Sequence, residues 1–191
     1  MKNTFTKLFV AGCLTIIGTG TFAQSNQLSF GVDLGLPLGD FGDFASFMVG
    51  PTVGFELPIS DNLGITAQVG YLIISPNSDV SDVIANISAI PAQAGLKFYI
   101  SEAQSGPYVH AQLGVHAMSV KSEDIEFLGT TIEGETTSST NFSWGIGGGY
   151  QLSKLDLGIR YNSISPDSDL EGASASTYIG LRAAFLLNLG G

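Results

Sequence analysis

The sequence is poor in the features that hold most exported folds together. Only one of its 191 residues is a cysteine, Cys13, so no intramolecular disulfide can form. Charged residues are 13% of the chain, about half of what soluble domains carry, which speaks against an ordinary water-soluble surface. Basic residues number 7 against 17 acidic ones, which excludes the basic patch that nucleic-acid binding requires. Past residue 23 no stretch reaches the roughly 18–20 uninterrupted apolar residues of a spanning helix, so a helical membrane protein is excluded. Collagen-like and disordered chains fall away as well, because the 25 glycines follow no three-residue period and hydrophobic residues reach 44%. What is left is a chain of positive mean hydropathy, +0.29, that leans toward lipid without a helix to enter it.

Residues 1–23 open with Lys2 and Lys7, run apolar from Leu8 to Ile17, and close on Thr21-Phe22-Ala23, a small-x-Ala site. This reads as a secretory signal peptide cleaved after Ala23, leaving a single domain over residues 24–191. Val10-Ala11-Gly12-Cys13 resembles a lipoprotein box, but five residues between Lys7 and Cys13 are too few for a signal's apolar region, and the run continues past the thiol. Cleavage removes Lys2, Lys7 and Cys13. The mature chain then has no cysteine and, with five basic against 17 acidic residues, a formal charge of −12. An exported chain without disulfides can hold itself together as a closed sheet in a membrane.

From Gln24 onward the dominant period is two, most clearly over residues 63–73, where the odd positions are apolar and the even ones mostly Gly, Thr and Gln. Similar runs occupy 28–38, 48–58, 87–100, 107–120, 141–152, 155–163 and 177–189, which makes eight. Their length suits the ~9–11 residues of a tilted transmembrane strand better than the ~5–6 of a soluble one. The connections 59–62, 101–106 and 153–154 are short, whereas 39–47, 75–86, 121–140 and 164–176 are long and rich in acid and Ser. Short and long alternate strictly, as in outer-membrane barrels with tight turns at one end and large loops at the other. The spacing therefore predicts an all-β, eight-stranded, antiparallel up-and-down transmembrane barrel.

One face of these strands is free of charge and carries the aromatics Phe55, Tyr71, Phe142, Trp144, Tyr161 and Phe185, which are expected to meet lipid. The other carries Asp33, Glu56, Lys97, Asp156, Arg160 and Arg182 with the polar Gln68, Gln93, His110, Gln112 and His116, among many glycines. Buried in a dry core, these ions would each cost several kcal/mol, whereas a lumen can pair them. Three acids face three bases. Asp33 on the first strand and Arg182 on the last become neighbours only on closure and are expected to pair, while Glu56, Lys97 and Asp156 are expected to cluster with Arg160 near the short turns. Eight strands leave an interior that side chains fill, so the lumen is expected to be occluded. Aromatic belts are expected at both interfaces, with Tyr99 and Tyr150 near the short turns; Tyr108 has lumen parity.

Three sharper chemistries find little support. The glycine run 145–149 continues as a strand and leads into no helix, so it is not a phosphate loop. The two histidines share one face, but six residues at ~3.3 Å separate them by about 20 Å, too far for one metal. A hydrolase at the rim near His116 would need a nucleophile, and no G-x-S-x-G is present. No catalytic residue, metal or cofactor is expected.

The signal peptide, the eight alternating segments and the short-long connections, with Gly145-Ile146-Gly147-Gly148-Gly149-Tyr150-Gln151-Leu152 followed by Leu155-Asp156-Leu157-Gly158-Ile159-Arg160-Tyr161, resemble the outer-membrane protein β-barrel domain family, small barrels often labelled "porin family". The resemblance covers nearly all of residues 24–191 and implies fold and location in a Gram-negative outer membrane; its motifs imply no activity. The chain departs from many such barrels in lacking a C-terminal aromatic residue, which leaves recognition by the barrel assembly machinery to Leu181, Ala183, Phe185, Leu187 and Leu189.

The long loops carry Asp40, Asp43, Asp79, Asp82, Glu123, Asp124, Glu126, Glu133, Glu135, Asp167, Asp169 and Glu171 against Lys121 alone, a formal −11 at one end. A solvated, repulsive surface is one expectation; a basic partner or weakly held divalent cations are another. Residues 125–133 have strand-like content and are expected to form a protruding hairpin above the fifth and sixth strands. The functional expectation is a monomeric structural or surface-interaction protein contacting outer-membrane lipids. Two alternatives stand beside it: a narrow passive channel, and a soluble lipocalin-like barrel with its apolar face turned inward.

Overall fold

A computed structural model describes residues 25–77, 84–101, 104–122, 125–127, 130–132, 136–166 and 174–189. Its wall is built from β1 (Gln27–Leu38), β2 (Ala45–Ser60), β3 (Leu63–Gly70), β4 (Leu72–Pro76), β5 (Ile84–Tyr99) and β6 (Gly106–Ser122), then β9 (Thr136–Leu152), β10 (Leu155–Ile164) and β11 (Ser176–Asn188). Between β6 and β9, β7 (Ile125–Phe127) and β8 (Thr130–Ile132) pair as a separate two-stranded sheet. One short helix, α1 (Asp40–Phe44), sits in the β1–β2 connection.

Neighbouring strands of the wall pair antiparallel, β3 and β4 both lying between β2 and β5, and β1 pairs with both β2 and β11, so the sheet closes on itself. With β3 and β4 forming one stave, the barrel has eight staves. The break between them falls at Tyr71, opposite Pro51, and the cause is local chemistry. The Tyr71 N–H donates to the Pro51 carbonyl at 3.0 Å, but Pro51 has no N–H to return. One stave over, Pro91 likewise withholds a donor from the ladder.

Closing so few strands curves the wall sharply, and inward glycines make that curvature possible. A Cβ on Gly147 would lie 2.1 Å from the Ile159 carbonyl oxygen, and one on Gly95 would lie 2.2 Å from that of Ala111. The apolar face points outward: Phe30, Val32, Leu113 and Ile159 are about half exposed, while Asp33, Glu56, Lys97 and Asp156 are buried inside. That orientation is the reverse of a lipocalin's and removes the soluble-barrel alternative.

The wall is taller than the alternation suggests. β6 and β9 each run 17 residues, so much of the expected loop 121–140 is strand, and β7 and β8 pair as a sheet of their own. β10 has only 10 residues, which leaves the rim uneven. Residues 1–23 and the loop acids Asp79, Asp82, Glu123, Asp124, Glu133, Glu135, Asp167, Asp169 and Glu171 lie outside the described residues, as does the side chain of Glu126.

Candidate functional site

The barrel interior is where the sequence's charged and polar inward positions meet, and it divides into three levels. At the short-turn end, Lys97 is 3% exposed, with its Nζ 2.9 Å from Asp156 Oδ2, 3.2 Å from Glu56 Oε2 and 2.8 Å from Gln151 Oε1. Tyr99 and Tyr108 close around it. The Tyr108 ring centroid lies 4.0 Å from the Lys97 ammonium, its hydroxyl donates to Asp156 at 2.6 Å, and the Tyr99 hydroxyl donates to Glu56 at 2.7 Å. Gln151 extends the network to Gln27 at 2.8 Å, tying the first strand into it. Lys97 meets two carboxylates and both carboxylates also accept a tyrosine hydroxyl, the kind of charge pairing and hydrogen bonding under which buried ions are tolerated.

Above it, Asp33 takes two guanidinium groups. Arg160 Nη2 lies 2.7 Å from Asp33 Oδ2, and Arg182 Nη1 lies 3.6 Å from Oδ1. Gln68 donates to the same carboxylate at 3.0 Å, while Arg160 Nη1 donates to the amide oxygens of Gln68 at 3.0 Å and Gln112 at 2.5 Å. Arg182 also donates to Thr52 and Ser29. Arg160 thus joins the Asp33 cluster rather than the Lys97 cluster where the sequence suggested it. It is four residues further from the turn than Asp156, and its long side chain reaches past β11 to β1. His110 bonds Thr66 at 2.8 Å and Gln93 bonds Ser143 at 3.4 Å. A cavity of about 40 Å³ lies between the two clusters.

The third level, toward the long loops, is apolar, a feature that strand alternation alone does not reveal. Met48, Leu72, Ile74, Ile87, Ala89 and Ile164 pack with Tyr178 across the bore, with Phe41 of α1 laid against them. His116, fully buried, bonds the Tyr178 hydroxyl at 3.1 Å on the underside of this plug. The two histidines therefore serve separate partners on separate levels.

Tyr99, expected in an outer belt, is wholly buried in the lumen. It shares the parity of Lys97 two residues earlier, so the alternation itself carried the signal. Asn162 shares the parity of Arg160 in the same way and is buried. The outer wall carries Tyr71, Phe142, Trp144, Tyr161 and Phe185 exposed and Phe55 half-buried; Trp144 and Tyr161 pack with ring centroids 5.8 Å apart.

The same architecture recurs in solved structures. Ail, the attachment invasion locus protein of Yersinia pestis, superposes with a TM-score of 0.60 at 15% identity, covering 86% of this chain and 99% of that one. The N-terminal β-barrel domain of Pseudomonas aeruginosa OprF gives 0.58 at 12% identity, covering 86% and 98%. Neisserial surface protein A gives 0.57 at 17% identity, covering 86% and 97%. At these identities the likeness is one of fold. A comparison with curated proteins gives no match. The model of the outer membrane protein β-barrel domain matches residues 9–183, and with a closed eight-stave wall, apolar outside and charged within, the chain belongs to that family.

Proposed function

We propose that this outer-membrane barrel is a structural and surface-interaction protein with an occluded lumen, exported by a signal peptide cleaved after Ala23. The observation that carries this reading is closure at both ends of the bore. The Lys97–Glu56–Asp156–Tyr99 cluster fills the short-turn end, and the Met48–Leu72–Ile74–Tyr178 plug fills the loop end. With the bore filled, the surfaces left for interaction are the outer wall and the loops. The wall meets lipid through Phe55, Tyr71, Phe142, Trp144, Tyr161 and Phe185. The loops present the formal −11 to the outside, where a basic partner or bridging divalent cations are the matching chemistry. Strand β11 offers Leu181, Phe185 and Leu187 on its outward face to the assembly machinery.

A narrow-channel reading has one observation in its favour, the cavity of about 40 Å³ between the two closures. Reconstitution of the refolded mature chain in planar bilayers separates the two readings. The occluded barrel gives no steady conductance above the bare membrane; stable unitary openings would replace it with the channel.

A further inference from the structure

A groove of about 600 Å³ opens on the outer wall, and its exposed lining is wholly apolar. It crosses five staves between two rows of outward side chains. The row nearer the short turns is Leu28, Phe55, Ala67, Ala94 and Leu113, successive register partners on β1, β2, β3, β5 and β6. The next row up contributes Val53, Val69 and Ala92. Three alanines and the backbone of Gly54 and Gly114 keep the groove low, whereas the wall beside it carries Ile65, Leu96 and Tyr71.

The lower row climbs. Followed round the barrel, it returns to β1 at Leu38, ten residues nearer the long loops than Leu28. Ten residues at ~3.3 Å against eight staves at ~4.8 Å tilt the row by about 40°, within the ~35–45° of membrane barrels. The four stave spacings of the groove, about 19 Å, therefore rise about 12 Å, close to the ~15 Å of hydrocarbon in one leaflet. Below Leu28 the row continues to Leu187 on β11, and the adjacent Leu186 N–H donates to the carbonyl of Lys154 in the β9–β10 turn. Lys154 is exposed, and with Lys97, Arg160 and Arg182 in the lumen and Lys121 at the loop end it is the one base of residues 24–191 on the outside near the short turns.

We propose that the groove holds one acyl chain of a phospholipid from the leaflet on the short-turn side, with its phosphate at Lys154. An acyl chain needs no hydrogen bond, and the lining offers none. The volume lies within the ~300–1,000 Å³ of small-molecule sites, and the low end of the row reaches headgroup height beside an ammonium that matches a phosphate. A lipid A chain would enter from the opposite leaflet, where the formal −11 of the loops repels its phosphates. The site rests on the outer wall meeting lipid and is independent of whether the lumen is occluded.

Native mass spectrometry of the refolded mature chain, released from detergent micelles doped with dipalmitoylphosphatidylglycerol, tests the proposal. Expected is one retained lipid per chain. Ala94→Phe, which fills the groove, should weaken retention by about tenfold and Lys154→Gln by a few-fold, while Ile159→Phe on β10, four staves from β3 either way round, leaves it unchanged. Heat-modified gel mobility checks that each variant is folded, with Ala92→Leu as the groove-filling variant if Ala94→Phe does not fold. Absence of a retained phospholipid, or equal retention by wild type and groove-filled chains, overturns the proposal. So does a two-chain mass abolished by Ala94→Phe, which gives the groove to a second copy, and so does retention of lipid A in place of phospholipid. A chain that stays folded and monomeric in water without detergent defeats the lipid-facing wall itself.

Discussion

Asp33 and Arg182 face each other directly across the β1–β11 closure, yet the Asp33 carboxylate makes its shorter contact, 2.7 Å against 3.6 Å, with Arg160. Neighbouring strands bring the backbones of Asp33 and Arg182 together, but side-chain reach decides the pairing. Among the described residues Asp33 is the one acid that both Arg160 and Arg182 pair with, so it is the anchor of its level.

Asp33→Asn should therefore leave two guanidinium groups without a counter-ion in the bore. Breaking a buried pair by removing one partner costs about 3–5 kcal/mol. Reversible urea unfolding in lipid vesicles should show a loss of that size for Asp33→Asn, and a larger loss for Arg160→Met than for Arg182→Met. Equal losses for the two arginines would contradict the pairing.

The Lys97 cluster makes a complementary prediction. Lys97→Met strands Glu56 and Asp156 beside each other and should destabilise by a similar ~3–5 kcal/mol. The triple variant Lys97→Met, Glu56→Gln, Asp156→Asn removes all three charges and should recover most of that loss in the same unfolding assay. If the triple variant is as unstable as the single one, packing around Lys97 and not charge compensation holds this level.

Glycine substitutions should grade by what a new Cβ meets. At Gly147 it meets the Ile159 and Arg160 backbone at 2.1 and 2.7 Å, which cannot move without opening the ladder. At Gly64 it meets the Glu56 carboxylate at 2.9 Å, the end of a side chain that can shift. Gly147→Ala should cost about 1–3 kcal/mol or more, and Gly64→Ala less. Heat-modified gel mobility after refolding reads both.

The outer wall should respond to depth. Leu113, 60% exposed halfway up β6, should cost about 2–4 kcal/mol when changed to Arg, whereas Tyr150→Arg near the short turns should cost about 0–1 kcal/mol. Refolding yields into vesicles measure the difference. A Leu113→Arg chain that becomes soluble and keeps its fold would mean that this wall faces water.

The amino-acid sequence by itself determined the strand period, the eight staves, the alternation of short turns with long loops and the face on which each charge sits. All of these follow from local pattern, because side chains along a strand alternate strictly and turn residues mark the ends. Parity, which Tyr99 shares with Lys97 and Asn162 with Arg160, points both side chains inward; the expectation of Tyr99 in a belt weighed its place near a turn above that parity. What the tertiary structure decided is how inward groups are shared across the bore. Arg160 and Asp33 are 127 positions apart in sequence and meet because the closed wall sets their staves on either side of β11, within reach of a long side chain. The apolar plug has the same origin. Met48, Leu72, Ile87 and Ile164 each look like a lapse in an otherwise polar inner face, and become a core only when closure puts them at one height. Alternation fixes the side of the wall that a residue faces, but strand tilt and register fix its height, and only the closed barrel sets those.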